Sequence, residues 1–187
     1  ALLVVADHAL NQLQHALKLL LGIGHRGGRI GVGRGILGGR RVERILFAAT
    51  KADHLHHSQH AALTAITEAM LREAKDRADF AGALTAAMSL SGFRATVEET
   101  VTRDGRDLDC VRGRLTDGRT VALFPGRLPD DPARLLSPAR QGAEKWLDAE
   151  FGLMSFEPPL RMARRPGEGP PHIRLDRALE FLIGDRL

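Results

Sequence analysis

The sequence predicts an α/β fold: a parallel sheet with helices, an antiparallel β insertion and a C-terminal helix. Three observations carry this. The run Ile45-Leu-Phe-Ala-Ala49 is apolar without alternation, the pattern of a strand buried on both faces. A helical repeat and a second apolar run follow at the spacing of a βαβ unit. Two Asp-Gly pairs then separate segments rich in Val, Thr and Leu, as in a meander of hairpins.

Taken in order, the elements are these. Leu10, Leu13, Leu17, Leu20 and Leu21 share one face of a 3.6-residue period, so residues 3–21 read as a helix that Gly22 and Gly24 end. Residues 22–41 hold nine glycines and five arginines, which raises the entropy cost of ordering and predicts a mobile connection. Residues 43–50 form the first buried strand. A helix over about 58–79 follows, with Ser58 as N-cap and Leu63, Ile66, Met70 and Ala74 facing inward. Residues 83–91 read as a second buried strand. Residues 95–101, 107–115 and 119–124 form the meander, turned at Asp104-Gly105 and Asp117-Gly118, because Asp-Gly supplies the positive φ that tight hairpins need. A helix over about 138–151 is flanked by prolines that cannot continue one. Leu175, Ala178, Leu179, Leu182 and Ile183 make the last helix amphipathic, with a face to dock on its own sheet.

The organisation that follows has three parts. Residues 1–93 belong to a nucleotide-binding α/β domain, residues 94–128 are the inserted meander, and residues 129–187 return to the α/β core.

Composition narrows the function. With 187 residues and 43% hydrophobic side chains the chain can bury a core. A single cysteine excludes an intrachain disulfide framework and a Cys-based zinc site, and Cys110 reads as an unactivated thiol. The apolar stretches are too short to span a bilayer, which predicts a cytoplasmic protein and leaves only peripheral membrane contact open. The net charge is +4, and the aromatics are seven Phe and one Trp. That balance argues against nucleic acid as a partner, since stacking platforms are richer in aromatics.

The most specific local signal is Thr50-Lys51-Ala52-Asp53 directly after a buried strand, where α/β sheets bind ligands. An [Asn/Thr]-Lys-x-Asp run at that place is the guanine-reading motif of P-loop GTPases. The chemistry suits it. The Asp carboxylate accepts from N1–H and the 2-amino group of guanine, whereas adenine N1 is itself an acceptor. Lys51 lays its stem along the base and Thr50 braces the loop. The next βα turn, Ser91-Gly92, offers a backbone N–H to the guanine 6-oxo group. The sequence holds no Gly-x-x-x-x-Gly-Lys-[Ser/Thr] phosphate loop.

Other signals are weaker. Gly33-x-Gly35-x-x-Gly38 follows a predicted helix, the wrong context for a dinucleotide loop. His54, His56, His57 and His60 cluster after the Thr-Lys-x-Asp run. No ligand partner stands at suggestive spacing, so no metal site is assigned and a capping and pocket-wall role is expected.

The run from Phe47 to His60, the Arg94-Ala-Thr and Phe124-Pro-Gly126 segments and the ending from Pro171 to Leu187 resemble the YcjX-like family of P-loop GTP-binding proteins. The resemblance implies a partial, G-domain-like P-loop NTPase sheet. It implies a fragment whose phosphate loop and magnesium ligands precede Ala1. The family is described as stress-related. The resemblance implies that the intact protein binds GTP or GDP with Mg2+ and hydrolyses GTP slowly; without the phosphate loop, the chain alone is expected to be inactive. Of the family's site residues only Thr50, Lys51 and Asp53 carry over, with Ser91 and Gly92 closing the pocket. Partners are then a guanine nucleotide and an unidentified protein. The competing expectation is a non-enzymatic module that binds a protein, RNA or a membrane surface through the Gly/Arg loop and the meander.

Overall fold

The computed structural model describes residues 2–6, 42–134, 136, 155–158 and 168–187. Two three-stranded sheets organise them. In the first, β1 (Leu2–Ala6), β2 (Arg44–Ala49) and β3 (Leu84–Ser89) lie in that order, all parallel. In the second, β4 (Thr96–Arg103), β5 (Arg106–Arg114) and β6 (Thr120–Leu123) form an antiparallel meander.

The continuous apolar run is a strand buried on both sides, as expected. Leu46, Phe47, Ala48 and Ala49 are each at most 3% exposed. On one face Ala49 packs with Leu63 and Ile66 of helix α1 (His60–Met70). On the other, Leu46 and Ala48 pack with Ala178 of helix α3 (Leu175–Ile183), with Phe181 and Leu182 alongside. The C-terminal helix thus docks on its own sheet.

Three expectations need correction. Residues 3–6 are strand, not helix: Leu2–Ala6 pairs residue for residue with Ile45–Ala49. The leucine period that suggested a helix begins only at Leu10. Its remainder, the Gly/Arg loop of 22–41 and the helix placed at 138–151 lie outside the described residues. The helix expected over 58–79 is two, α1 and α2 (Arg72–Phe80), parted at Leu71, which leaves helical geometry with ψ 12° and turns inward. Ser58 does not cap α1. The side chain of His56 accepts from the Ser58 N–H and opens a short 3-10 turn (His57–Gln59), while the Ser58 hydroxyl donates to Asp109 at 2.9 Å. A milder departure concerns β3. It is half-buried along most of its length, because among the described residues it pairs with β2 alone.

Both Asp-Gly pairs are turns, of different kinds. Asp104 (φ 52°) and Gly105 (φ 71°) are both left-handed, the type I′ geometry of a two-residue hairpin. At the second, Gly118 alone is left-handed (φ 86°). Its N–H donates to the Leu115 carbonyl, and the Leu115 N–H donates to Arg119. That is a three-residue loop with glycine in the bulge position.

Candidate functional site

The C-terminal ends of β2 and β3 lie side by side, and the loop after each is tied to the other. The Leu90 N–H donates to the Ala49 carbonyl at 2.8 Å, and the Ala52 N–H returns to the Leu90 carbonyl at 3.1 Å. Between them Lys51 is forced into the left-handed region, φ 58° and ψ 35°. For a lysine that conformation costs about 1–2 kcal/mol. Strain of this kind persists only where the surroundings over-determine it.

Asp53 sits in the short 3-10 turn (Ala52–His54) and is 4% exposed. Its carboxylate meets two donors. The Ser91 hydroxyl lies 2.8 Å from Oδ1, and the Ala95 N–H lies 2.9 Å from Oδ2. The backbone carbonyl of Asp53 accepts from the Thr96 hydroxyl. The Ser91 hydroxyl also lies 2.7 Å from the Phe93 carbonyl, so its one hydrogen is divided between two acceptors. A carboxylate has about four lone-pair sites, and these donors take one on each oxygen.

The backbone of Ser91 is committed elsewhere. Ser91 and Ile173 exchange both hydrogen bonds, at 3.0 and 2.9 Å. The neighbouring Gly92 amide, by contrast, has no partner among the described residues. A Cβ built on Gly92 meets nothing within 4 Å, so the space beside it is open.

Beneath the turn, His60 is the strut. It is 3% exposed, and its Nε2 lies 2.8 Å from the Ala52 carbonyl and 3.3 Å from that of Leu55. Nε2 must donate there, which leaves Nδ1 to accept from Arg174 at 3.4 Å. Burial lowers the His60 pKa, and the Arg174 charge adds to this, so the ring is held neutral. The same Arg174 nitrogen also lies 3.0 Å from the carbonyl and 2.7 Å from the hydroxyl of Ser89, so its two hydrogens are shared among three acceptors. The C-terminal segment thus braces the ends of both strands.

The remaining histidines face the meander. His57 Nδ1 lies 2.7 Å from Glu98 Oε2, and Arg94 lies 3.0 Å from Glu98 Oε1. Burial pushes the Glu98 carboxyl up, but the His57 hydrogen bond and the Arg94 charge outweigh it and hold the group below its usual range. His54 stacks edge-on against Phe156, with ring centroids 5.1 Å apart. His56, His57 and Glu98 bring three ligand-type atoms within 4.8 Å of one another. No spacing argument finds Glu98, which is 41 residues from His57. The set does not fit Mg2+, which demands six oxygen-type ligands, and Arg94 already neutralises its one carboxylate. Cys110 is a buried free thiol whose pKa is raised by desolvation and by Glu99 and Asp109, so it is not activated.

The structure therefore brings Thr50, Lys51, Asp53, Ser91 and Gly92 into one corner at the ends of β2 and β3. Sequence reasoning missed Ala95, Thr96 and Arg174, and saw His60 only as one of a histidine cluster with a capping and pocket-wall role. Arg94-Ala-Thr and the Pro171–Leu187 ending stand out as segments, yet nothing local assigns their side chains to this loop.

A family model described as "YcjX-like family, DUF463" matches residues 2–187. A protein of Escherichia coli (strain K12) named "Ras-like GTPase YcjX" is 35% identical over 180 residues, covering 96% of this chain and 36% of that protein. One of the same name from Shewanella oneidensis is 33% identical over 148 residues, covering 79% of this chain and 29% of that protein. The chain spans about a third of the length of the curated relatives it matches. It belongs to the YcjX-like family, with relatives named as GTPases.

Proposed function

We propose that this chain supplies the guanine-reading half of a GTP-binding protein. Asp53 accepts from N1–H and the 2-amino group, Gly92 donates to the 6-oxo group, Lys51 lines the base, and Thr50 with Ser91 holds the loop. The observation that carries this is that Asp53 and Gly92, whose amide has no partner among the described residues, stand together beyond two parallel strands, in a chain with GTPase-named relatives. The phosphates, Mg2+ and the slow hydrolysis of GTP belong to parts of the protein that these residues do not supply. The His56–His57–Glu98 set does not fit Mg2+. What the chain contributes is selectivity: adenine would set an acceptor against a carboxylate shielded from water.

Titration of the full-length protein with fluorescent GDP and ADP tests the proposal. The wild type prefers GDP. Asp53→Asn weakens GDP roughly 10- to 100-fold, the scale of losing hydrogen bonds to a charged group, and leaves ADP where it was. Unchanged GDP affinity in the variant removes the proposal.

One observation favours a second reading. Asp53 is 4% exposed, and both its oxygens already have donors. On that reading Asp53 is a structural pin, and the protein is an interaction module that works through the meander and the Gly/Arg loop. Asp53→Asn then lowers thermal stability without changing nucleotide preference.

A further inference from the structure

We infer that the antiparallel meander is a wall of the base site, with Thr96 and the Ala95 amide as positioning groups that set how well Asp53 reads guanine. This rests on the base-reading function proposed above. Three contacts fix Asp53, and two of them come from the entrance of β4: the Ala95 N–H on the carboxylate and the Thr96 hydroxyl on the carbonyl. Thr96 is 3% exposed, and its hydroxyl has no solvent to fall back on. The turn that carries Asp53 is three residues long, follows a left-handed lysine and has no side-chain cap of its own. Its orientation is therefore set from outside.

The rest of the meander is seated on the same stretch of chain. Glu98 meets His57 at 2.7 Å, and Asp109 meets Ser58 at 2.9 Å. Phe156 bridges to Leu115, lies over Gly113 and touches His54 edge-on. Asp53, His54, His57 and Ser58 are thus all held by the meander or by the strand-like segment beside it. A shift of the meander is passed to Asp53 through two hydrogen bonds, and a shift of Asp53 is passed back. By reciprocity of linkage, whatever seats the meander tightens guanine binding, and guanine seats the meander.

The experiment uses the full-length protein and dissociation constants for GDP, IDP and ADP. IDP lacks the 2-amino group and so removes one hydrogen that Asp53 accepts. Thr96→Val keeps the shape and loses the hydroxyl. It is expected to weaken GDP about 5- to 20-fold with ADP unmoved, and to shrink the GDP/IDP ratio, because a misplaced carboxylate gains less from the amino group. Thr96→Ser keeps the hydroxyl and restores both ratios. Glu98→Gln, at the half-buried edge of the seat, keeps the side chain's shape and moves the GDP/ADP ratio the same way by about 2- to 3-fold. If all three nucleotides weaken in parallel, or if neither Thr96→Val nor Glu98→Gln moves a ratio, the inference is overturned. Asp53→Asn separates the two claims. If it too leaves selectivity intact, base reading itself is wrong. If it collapses selectivity while Thr96→Val does not, only the positioning role falls.

Discussion

The parallel and antiparallel sheets are built on opposite principles. β2 is buried on both faces, clamped between α1 and α3, and carries no charge from Ile45 to Ala49. The meander buries Cys110, Val111, Leu115 and Thr96 near one end and exposes Thr100 to Asp107 around its first hairpin. Its salt bridges are at the surface, as with Arg112–Glu99 at 2.8 Å and Arg119–Asp117 at 2.7 Å. Pairs of that kind contribute about 0–1 kcal/mol each. The comparison teaches where each sheet gets its position. The parallel sheet is held by its own packing, whereas the meander is held where it grips the loop after β2. That loop, with Asp53 on it, is the joint between a rigid half and a perched half.

The largest expected effect breaks the rigid half. Leu46 is fully buried between the sheet and α3, so Leu46→Ala leaves a cavity that α3 only partly closes. The expected cost is about 3–5 kcal/mol of unfolding free energy, measured by urea denaturation. A cost below about 1 kcal/mol would mean that the sheet is not the stable half.

A smaller effect sharpens the joint. A Cβ on Gly113 would lie 2.5 Å from the Phe156 ring. Gly113→Ala therefore pushes the ring off its seat against His54, at about 1–3 kcal/mol. The expected signature is a lowered melting temperature together with a changed His54 ring signal in NMR. A lowered melting temperature with His54 unmoved would show that Phe156 does not couple the meander to the loop.

The smallest effect is in pH, and the two halves titrate in different windows. The His60 pKa is lowered by burial from its ordinary 6.5, so the folded state binds its proton less readily than the unfolded chain. Its contribution is whole above 6.5 and is lost as pH falls below that value. Glu98 is lowered from 4.5, so its contribution persists to more acid pH and is lost only as pH falls below 4.5. Unfolding free energy measured from pH 8 to pH 4 is expected to decline first through His60. His60→Gln abolishes that first decline and leaves the second. A profile flat between pH 7 and 5 would contradict the neutral-strut assignment.

How far these features were legible in the sequence depends on the range of the forces behind them. β2, the βα crossover, the two Asp-Gly turns and the apolar face of α3 rest on local periodicity and local turn chemistry, and the sequence carries them openly. β1 carried the same kind of signal, Leu-Leu-Val-Val-Ala, but a longer leucine period downstream overran it. The loop Thr50 to Asp53 was legible because its chemistry is compact. Its supports were not. Thr96 and Ala95 lie 43 and 42 residues from Asp53, and Arg174 lies 114 from His60. Such contacts exist only once two sheets are assembled. The histidine run illustrates the limit: one composition signal conceals a neutral strut at His60, a carboxylate partner at His57 and an aromatic contact at His54.

The claim on which the account rests is that Asp53 reads the edge of guanine, and an exchange of partners tests it most directly. Xanthine carries a 2-oxo group where guanine carries an amino group. An asparagine at position 53 accepts from N1–H and donates to that oxygen, whereas a carboxylate repels it. Competition between GDP and xanthosine diphosphate on the full-length protein, wild type against Asp53→Asn, is the measurement. The account predicts a reversal, with the wild type choosing GDP and the variant choosing xanthosine diphosphate. A variant that keeps its preference for GDP would contradict it.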